Sequence, residues 1–267
     1  MNKKHNFKII ISLILSLILI ILVSFFYFSY SSKKKFENWI LLKTDQESNS
    51  IFSINNITFF SSCNANSVVN ANSSITIKDL YQFTDIAIYI NNNSNEKNYN
   101  LRNTLKEVWI ENISFATPPS SGTPSLYYQT LNNFASGTFL SENKIINDSA
   151  RFEISNKDII DYSSTSLHNN CANPIILSYI NSNIIPDYTV SSTESLTYNG
   201  TLLKTCNIPV KNIESAISFD IFIINNQNEK FRCPIYLKIP LFDESSAIYD
   251  GSYTFEQNTN FIFYKIS

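Results

Sequence analysis

The chain has 267 residues, 43% hydrophobic and 14% aromatic but only 16% charged, with a net charge of −2. This composition excludes a disordered chain, and the near-neutral balance offers no sequence-wide basic surface for phosphates, so no nucleic acid partner is expected. Glycine occurs only four times and never in a cluster, which argues against a phosphate-cradling loop and the nucleotide folds that use one.

Residues 1–8 read as a short cytoplasmic tail bearing Lys3, Lys4 and Lys8. Residues 9–30 contain no charge; at about 1.5 Å per residue they reach roughly 33 Å, enough for one transmembrane helix. A cleaved signal peptide has a shorter apolar region, of about 7–15 residues, so retention as an anchor in membrane lipid is expected. Ser12 and Ser16, four apart, offer a small-residue face for a neighbouring helix.

Lys33, Lys34, Lys35 and Lys43 nearly balance the N-terminal lysines, so charge alone does not set the orientation. The C-terminal body is expected to be extracytoplasmic because it holds all four cysteines and is rich in Asn and Ser. Between anchor and body, residues 31–46 form a juxtamembrane stalk with Phe36, Trp39 and Ile40 at helical spacing.

Residues 47–267 are expected to form one β-rich domain, an all-β, sandwich-like fold behind the single transmembrane helix. Ile217, Phe219, Ile221 and Ile223 alternate with polar neighbours; a turn at residues 225–229 follows, and Phe231, Cys233, Ile235, Leu237 and Ile239 alternate again. This pattern predicts a hairpin. A second hairpin is expected at the end, with Tyr253 and Phe255 entering a turn at residues 257–260 and Phe261 and Phe263 leaving it. Earlier strands are expected at residues 50–60, 75–80, 83–90, 105–115, 126–129 and 174–180. The proline-rich residues 117–125 are expected to lie outside any sheet and to be a candidate domain boundary.

Cys63, Cys171, Cys206 and Cys233 form an even set without a C-x-x-C spacing, which favours structural disulfides over a zinc or redox motif; the spacing does not choose a pairing. His168 precedes Cys171 by three residues, but the adjacent Asn169 and Asn170 suggest a turn rather than a nucleophile pair. Ser141 and Lys144 match a serine–lysine spacing that is common by chance. Asp243, Glu244 and Asp250 read as a solvated acidic loop, without the spacing of a calcium site. No metal or cofactor is expected. Tyr127 and Tyr128, beside three prolines and a glycine, are the candidate binding residues, because tyrosines on a rigid segment present flat contact area at little entropic cost. Trp109 is expected in the core.

The expected function is a single-pass, membrane-anchored surface or envelope protein that presents a non-catalytic β-sandwich domain to a protein or glycan partner. The alternatives are a membrane-tethered hydrolase of cell-wall or surface polymers and a bitopic subunit of an envelope or secretion assembly. An alkaline wash of membranes from expressing cells should leave the chain in the pellet; recovery of a soluble form starting near Ser32 would refute the anchor.

Overall fold

The computed structural model describes residues 16, 18, 19, 23, 51–92, 104–152, 154, 174–185, 188–190, 196–239 and 247–266. The chain divides into two compact units, Met1–Ser48 and Asn49–Ser267. In the first, the four described residues are helical, and no described helix is long and apolar enough to cross a membrane; most of the expected span and the whole stalk lie outside the described residues.

The second unit is all-β, built as two antiparallel sheets. Sheet A has six strands: β1 (Phe52–Val69), β2 (Ile75–Asn92), β4 (Thr123–Tyr128), β6 (Ile175–Ser182), β7 (Tyr188–Val190) and β10 (Tyr253–Ile262). They run β10-β1-β2-β6-β4, with β7 beside the far end of β2. Sheet B has five: β3 (Leu105–Thr117), β5 (Ala150–Phe152), β8 (Ser215–Asn225), β9 (Lys230–Ile239) and β11 (Tyr264–Lys265), in the order β11-β9-β8-β3-β5.

Alternation along each strand puts every second side chain between the sheets. Ile57 and Phe59 of β1, Ile86, Ile88 and Ile90 of β2, Val108 and Ile110 of β3, Ile221 and Ile223 of β8, and Ile235 and Leu237 of β9 join one buried cluster. At the other end of the unusually long β1–β2 hairpin a second cluster forms. There Cys63, Ala65, Ile77 and Leu80 meet Leu202 and Leu203 of a short helix, Thr201–Thr205, and Cys206 just after it, together with Ile213 and Ile248. Polar groups stand between the two: Ser61 and Thr84 are hydrogen-bonded at 2.6 Å, and Gln82 Nε2 donates to Thr84 Oγ1 at 2.7 Å.

The β8–β9 hairpin forms as expected, with Ile217 to Ile223 facing Leu237 to Phe231. The expected terminal hairpin does not. Tyr253–Ile262 is one continuous strand, because it pairs with β1 from Ser61 to Ser53, with one register shift between Asn56 and Ile54, and the chain crosses to sheet B only after it. Residues 117–125 are not a domain boundary, since 49–267 is one unit, and Pro124 does enter a sheet. It sits on edge strand β4, where a missing N–H leaves no gap in the ladder.

The disulfide expectation is also corrected: Cys63, Cys206 and Cys233 are free and buried. Cys233 lies in the main core and the other two in the second cluster, so burial among apolar neighbours, rather than cross-linking, accounts for these three positions. Burial raises the thiols of Cys63 and Cys233 well above the ordinary range and that of Cys206 to about 11, which keeps all three protonated and inert. Cys171 lies outside the described residues.

The second cluster depends on a close backbone approach. A Cβ at Gly200 would overlap the carbonyl oxygens of Ile248 and Gly251, so the turn at Ala247–Asp250 packs directly on the start of the 201–205 helix. Gly200→Ala should therefore lower stability by about 1–3 kcal/mol, the usual range for forced overpacking. Chemical denaturation with a tryptophan fluorescence readout checks this, and an unchanged midpoint would contradict it.

Candidate functional site

Two surfaces carry the polar chemistry, and both follow from strand alternation. On β2, Ile86, Ile88 and Ile90 point into the core, so Phe83, Asp85 and Ala87 point to the outer face of sheet A. Cross-strand register then lines up Tyr127 of β4, Ser178 of β6, Asp85 of β2 and Phe60 of β1 in one row.

This face is covered by the chain between β4 and β5, residues 129–149. Phe134 lies against Phe60 at 6.4 Å between ring centroids, and Phe139 lies against Tyr81 at 5.6 Å and Tyr127 at 5.4 Å. The segment returns along β4, where Ile145 N–H donates to the Leu126 carbonyl at 2.9 Å and Tyr127 bridges to Lys144.

Asp85 ends up only 1% exposed. Its carboxyl accepts from the Ser178 hydroxyl and from the Ala135 N–H at 2.8 Å, while Gln129 Nε2 donates to Ser178 Oγ. Among the described residues no cation is paired with it. Desolvation therefore dominates and pushes its pKa up to about 6, against the opposing pull of the Ser178 and Ala135 donors. Gln129 Oε1 and Asn143 Nδ2, in residues each 3% exposed, find no partner among the described residues. Each such orphan costs about 1–3 kcal/mol. The carboxyl therefore exchanges its proton around pH 6, above the ordinary carboxylate range, and its immediate neighbours are a hydroxyl, an amide and rings.

The second surface is the outer face of sheet B. Register places Tyr264, Arg232, Phe222, Trp109 and Arg151 side by side across all five strands. Trp109 and Phe222 stack at 5.2 Å and 12°. The Arg151 guanidinium lies 5.4 Å and the Lys230 ammonium 5.1 Å from the Trp109 ring centroid, distances at which a cation is drawn to the ring face. Trp109 is buried, but beneath these cations rather than in the core as expected, because Val108 and Ile110 on either side of it take the inward positions.

The expected site residues do not converge. Tyr127 points outward beneath Phe139, and Tyr128, one residue on, packs toward the core, so the two rings share no surface. Ser141 and Lys144 are both exposed around a single 3-10 turn, Ser141–Asn143. Asp250 is exposed at the turn beside Gly251, and Asp243, Glu244 and His168 lie outside the described residues. Asp85 was missed by sequence reasoning. Its one signal is a carboxylate inside the run Phe83 to Ile90, where a strand apolar on both faces leaves a charge no solvent.

Arg232 pairs with Asp220 at 2.9 Å, and Asn112 Nδ2 donates to the same Asp220 oxygen at 2.7 Å. Since Asp220 is 5% exposed, Arg232→Met should cost about 1–3 kcal/mol by leaving the carboxylate underpaired, and Arg232→Lys should recover part of the loss. Urea unfolding of the two variants checks the ranking. No family model matches the chain, and neither a curated protein nor a solved structure does.

Proposed function

We propose that this protein is a single-pass, membrane-anchored surface module, with its β-sandwich outside the cytoplasm, that engages an extended segment of a protein partner by strand addition along β10. One observation supports this reading above the others: the contrast between β10 and the remaining sheet edges. β4 carries Pro124 and is flanked by the returning segment at Lys144 and Ile145. β5 has three residues and β11 two, while the part of β9 beyond Arg232 carries Pro234. Short, proline-bearing or covered edges resist pairing with another chain.

β10 has none of these protections. It runs ten residues without proline, pairs with β1 on one side and, among the described residues, with no strand on the other. Thr254, Phe255, Glu256, Asn258 and Asn260 are exposed, and Glu256 is its only charge. An edge of this kind offers a ladder of backbone donors and acceptors to an extended peptide, with alternate side chains supplying selectivity.

The test is photo-crosslinking of the full chain in its membrane. A photoreactive side chain at Asn260 should give a defined protein adduct, and one at the exposed Ser114 of sheet B should not. Proline is then placed in turn at Phe255 and Glu256, both exposed and in the regular part of the β1 register. Backbone N–H groups alternate between the two edges of a strand, so one of the two variants should lose the adduct while the melting temperature stays near that of the parent. Absence of any adduct in the parent, or full retention in both folded proline variants, would refute the reading.

A further inference from the structure

Besides the bonds of Lys144 and Ile145 along β4, the contacts that join residues 130–149 to the outer face of sheet A gather around one titratable group. Ala135 donates its N–H to Asp85, Phe134 rests on Phe60, and Phe139 rests on Tyr81 and Tyr127. Gly137 lies so close to Phe83 that a Cβ there would stand 3.0 Å from the ring. Left-handed residues occur near both ends of the segment, Ala135 (φ 62) and Gly137 (φ 67) at one and Asn147 (φ 64) and Asp148 (φ 54) at the other.

We propose that residues 130–149 are a proton-controlled cap, held over sheet A while Asp85 is neutral and released progressively as that carboxyl ionises. Closing the cap removes water from the carboxyl and supplies in exchange one backbone N–H from Ala135 beside the Ser178 hydroxyl. Two neutral donors without a cation do not replace full hydration of a carboxylate. A neutral carboxyl loses much less on burial.

The titratable and charged groups on the surrounding elements leave Asp85 as the group that controls this balance. The phenols of Tyr81 and Tyr127 titrate above their ordinary value because of burial. Glu142, Lys144 and Asp148 of the cap and Glu256 of β10 are exposed, and none is hydrogen-bonded or ion-paired to Asp85.

The sign follows from linkage. With the cap closed, Asp85 titrates at about 6, raised from 3.8. In the open cap it is hydrated and returns toward the ordinary value. Asp85 therefore favours closure fully below about pH 4, and this contribution is lost as pH rises through about 6. A separation of about two pKa units corresponds to a change on the order of 100-fold in the opening equilibrium across that window. Opening uncovers Phe60, Tyr81, Phe83 and Tyr127 together with Asp85.

Native-state hydrogen exchange of the full chain in detergent, corrected for the intrinsic pH dependence of amide exchange, tests this. Protection of the Ala135 amide should fall on the order of 100-fold between pH 4 and pH 7.5, while core amides of β8 such as Ile221 keep theirs. Asp85→Asn, which mimics the neutral acid, should remain protected and flat across the range. Ser178→Ala removes a donor that favours the charged form, so its transition should move to higher pH. The proposal is overturned by a parent profile without pH dependence, by the same dependence in D85N, by an unmoved midpoint in S178A, or by joint loss of protection at Ala135 and Ile221.

Discussion

Everything else in the β domain depends on the apolar contact between the inner faces of its two sheets. Ile57, Ile86 and Ile88 of sheet A are fully buried, as are Ile110, Ile217, Ile221 and Ile223 of sheet B. Burying a side chain of this size is worth about 1.5–3 kcal/mol. Because the strand repeat is two residues, slipping any one strand by a single position would exchange its whole inner set for its outer set. The contact therefore fixes register as well as stability, and with it the positions of Asp85 and Trp109.

The two outer faces meet water by opposite means. Sheet B covers its aromatics with its own charged side chains: Arg151 and Lys230 lie over Trp109, and Arg151 also pairs with Glu107 at 2.9 Å. That ion pair is largely exposed and worth little in itself, about 0–1 kcal/mol; its cation contributes more by shielding the ring. Sheet A covers its aromatics with separate backbone, residues 129–149, and in doing so buries Asp85 and leaves Gln129 Oε1 and Asn143 Nδ2 without partners. A self-covered face is stable by construction. A face covered by a loop retains an equilibrium between covered and uncovered states, because the loop can regain water where the strands cannot.

The domain also has two apolar clusters rather than one. The β1–β2 hairpin is long enough to leave the sandwich, and its far end is packed by the helices Thr201–Thr205 and Val210–Ile213 and the turn Ala247–Asp250. Ser61, Thr84 and the Gln82 Nε2 bond to one another at the boundary, which lowers the cost of polar side chains between two apolar regions, although Gln82 Oε1 finds no partner among the described residues. Neither short helix would be stable in isolation, since a few residues cannot offset the cost of nucleation; both exist because the hairpin end supplies a surface to cover.

Residue order alone determined the all-β class, the β8–β9 hairpin and most strand positions, because apolar alternation is a local property and these strands are half-buried. It also determined that residues 9–30 carry no charge and are long enough for a bilayer. Tertiary structure decided the rest. Tyr253–Ile262 resembles a hairpin in its spacing, but a partner as long as β1 keeps it extended through residues that elsewhere would turn. The cysteines resemble a disulfide set in the sequence, but Cys63, Cys206 and Cys233 are free thiols buried in the two clusters. Asp85, Ser178 and Ala135 lie far apart in the chain and acquire a shared chemistry only through the pairing of β2 with β6 and the path of the covering segment. Desolvation is a property of everything around a group, and no local pattern encodes it.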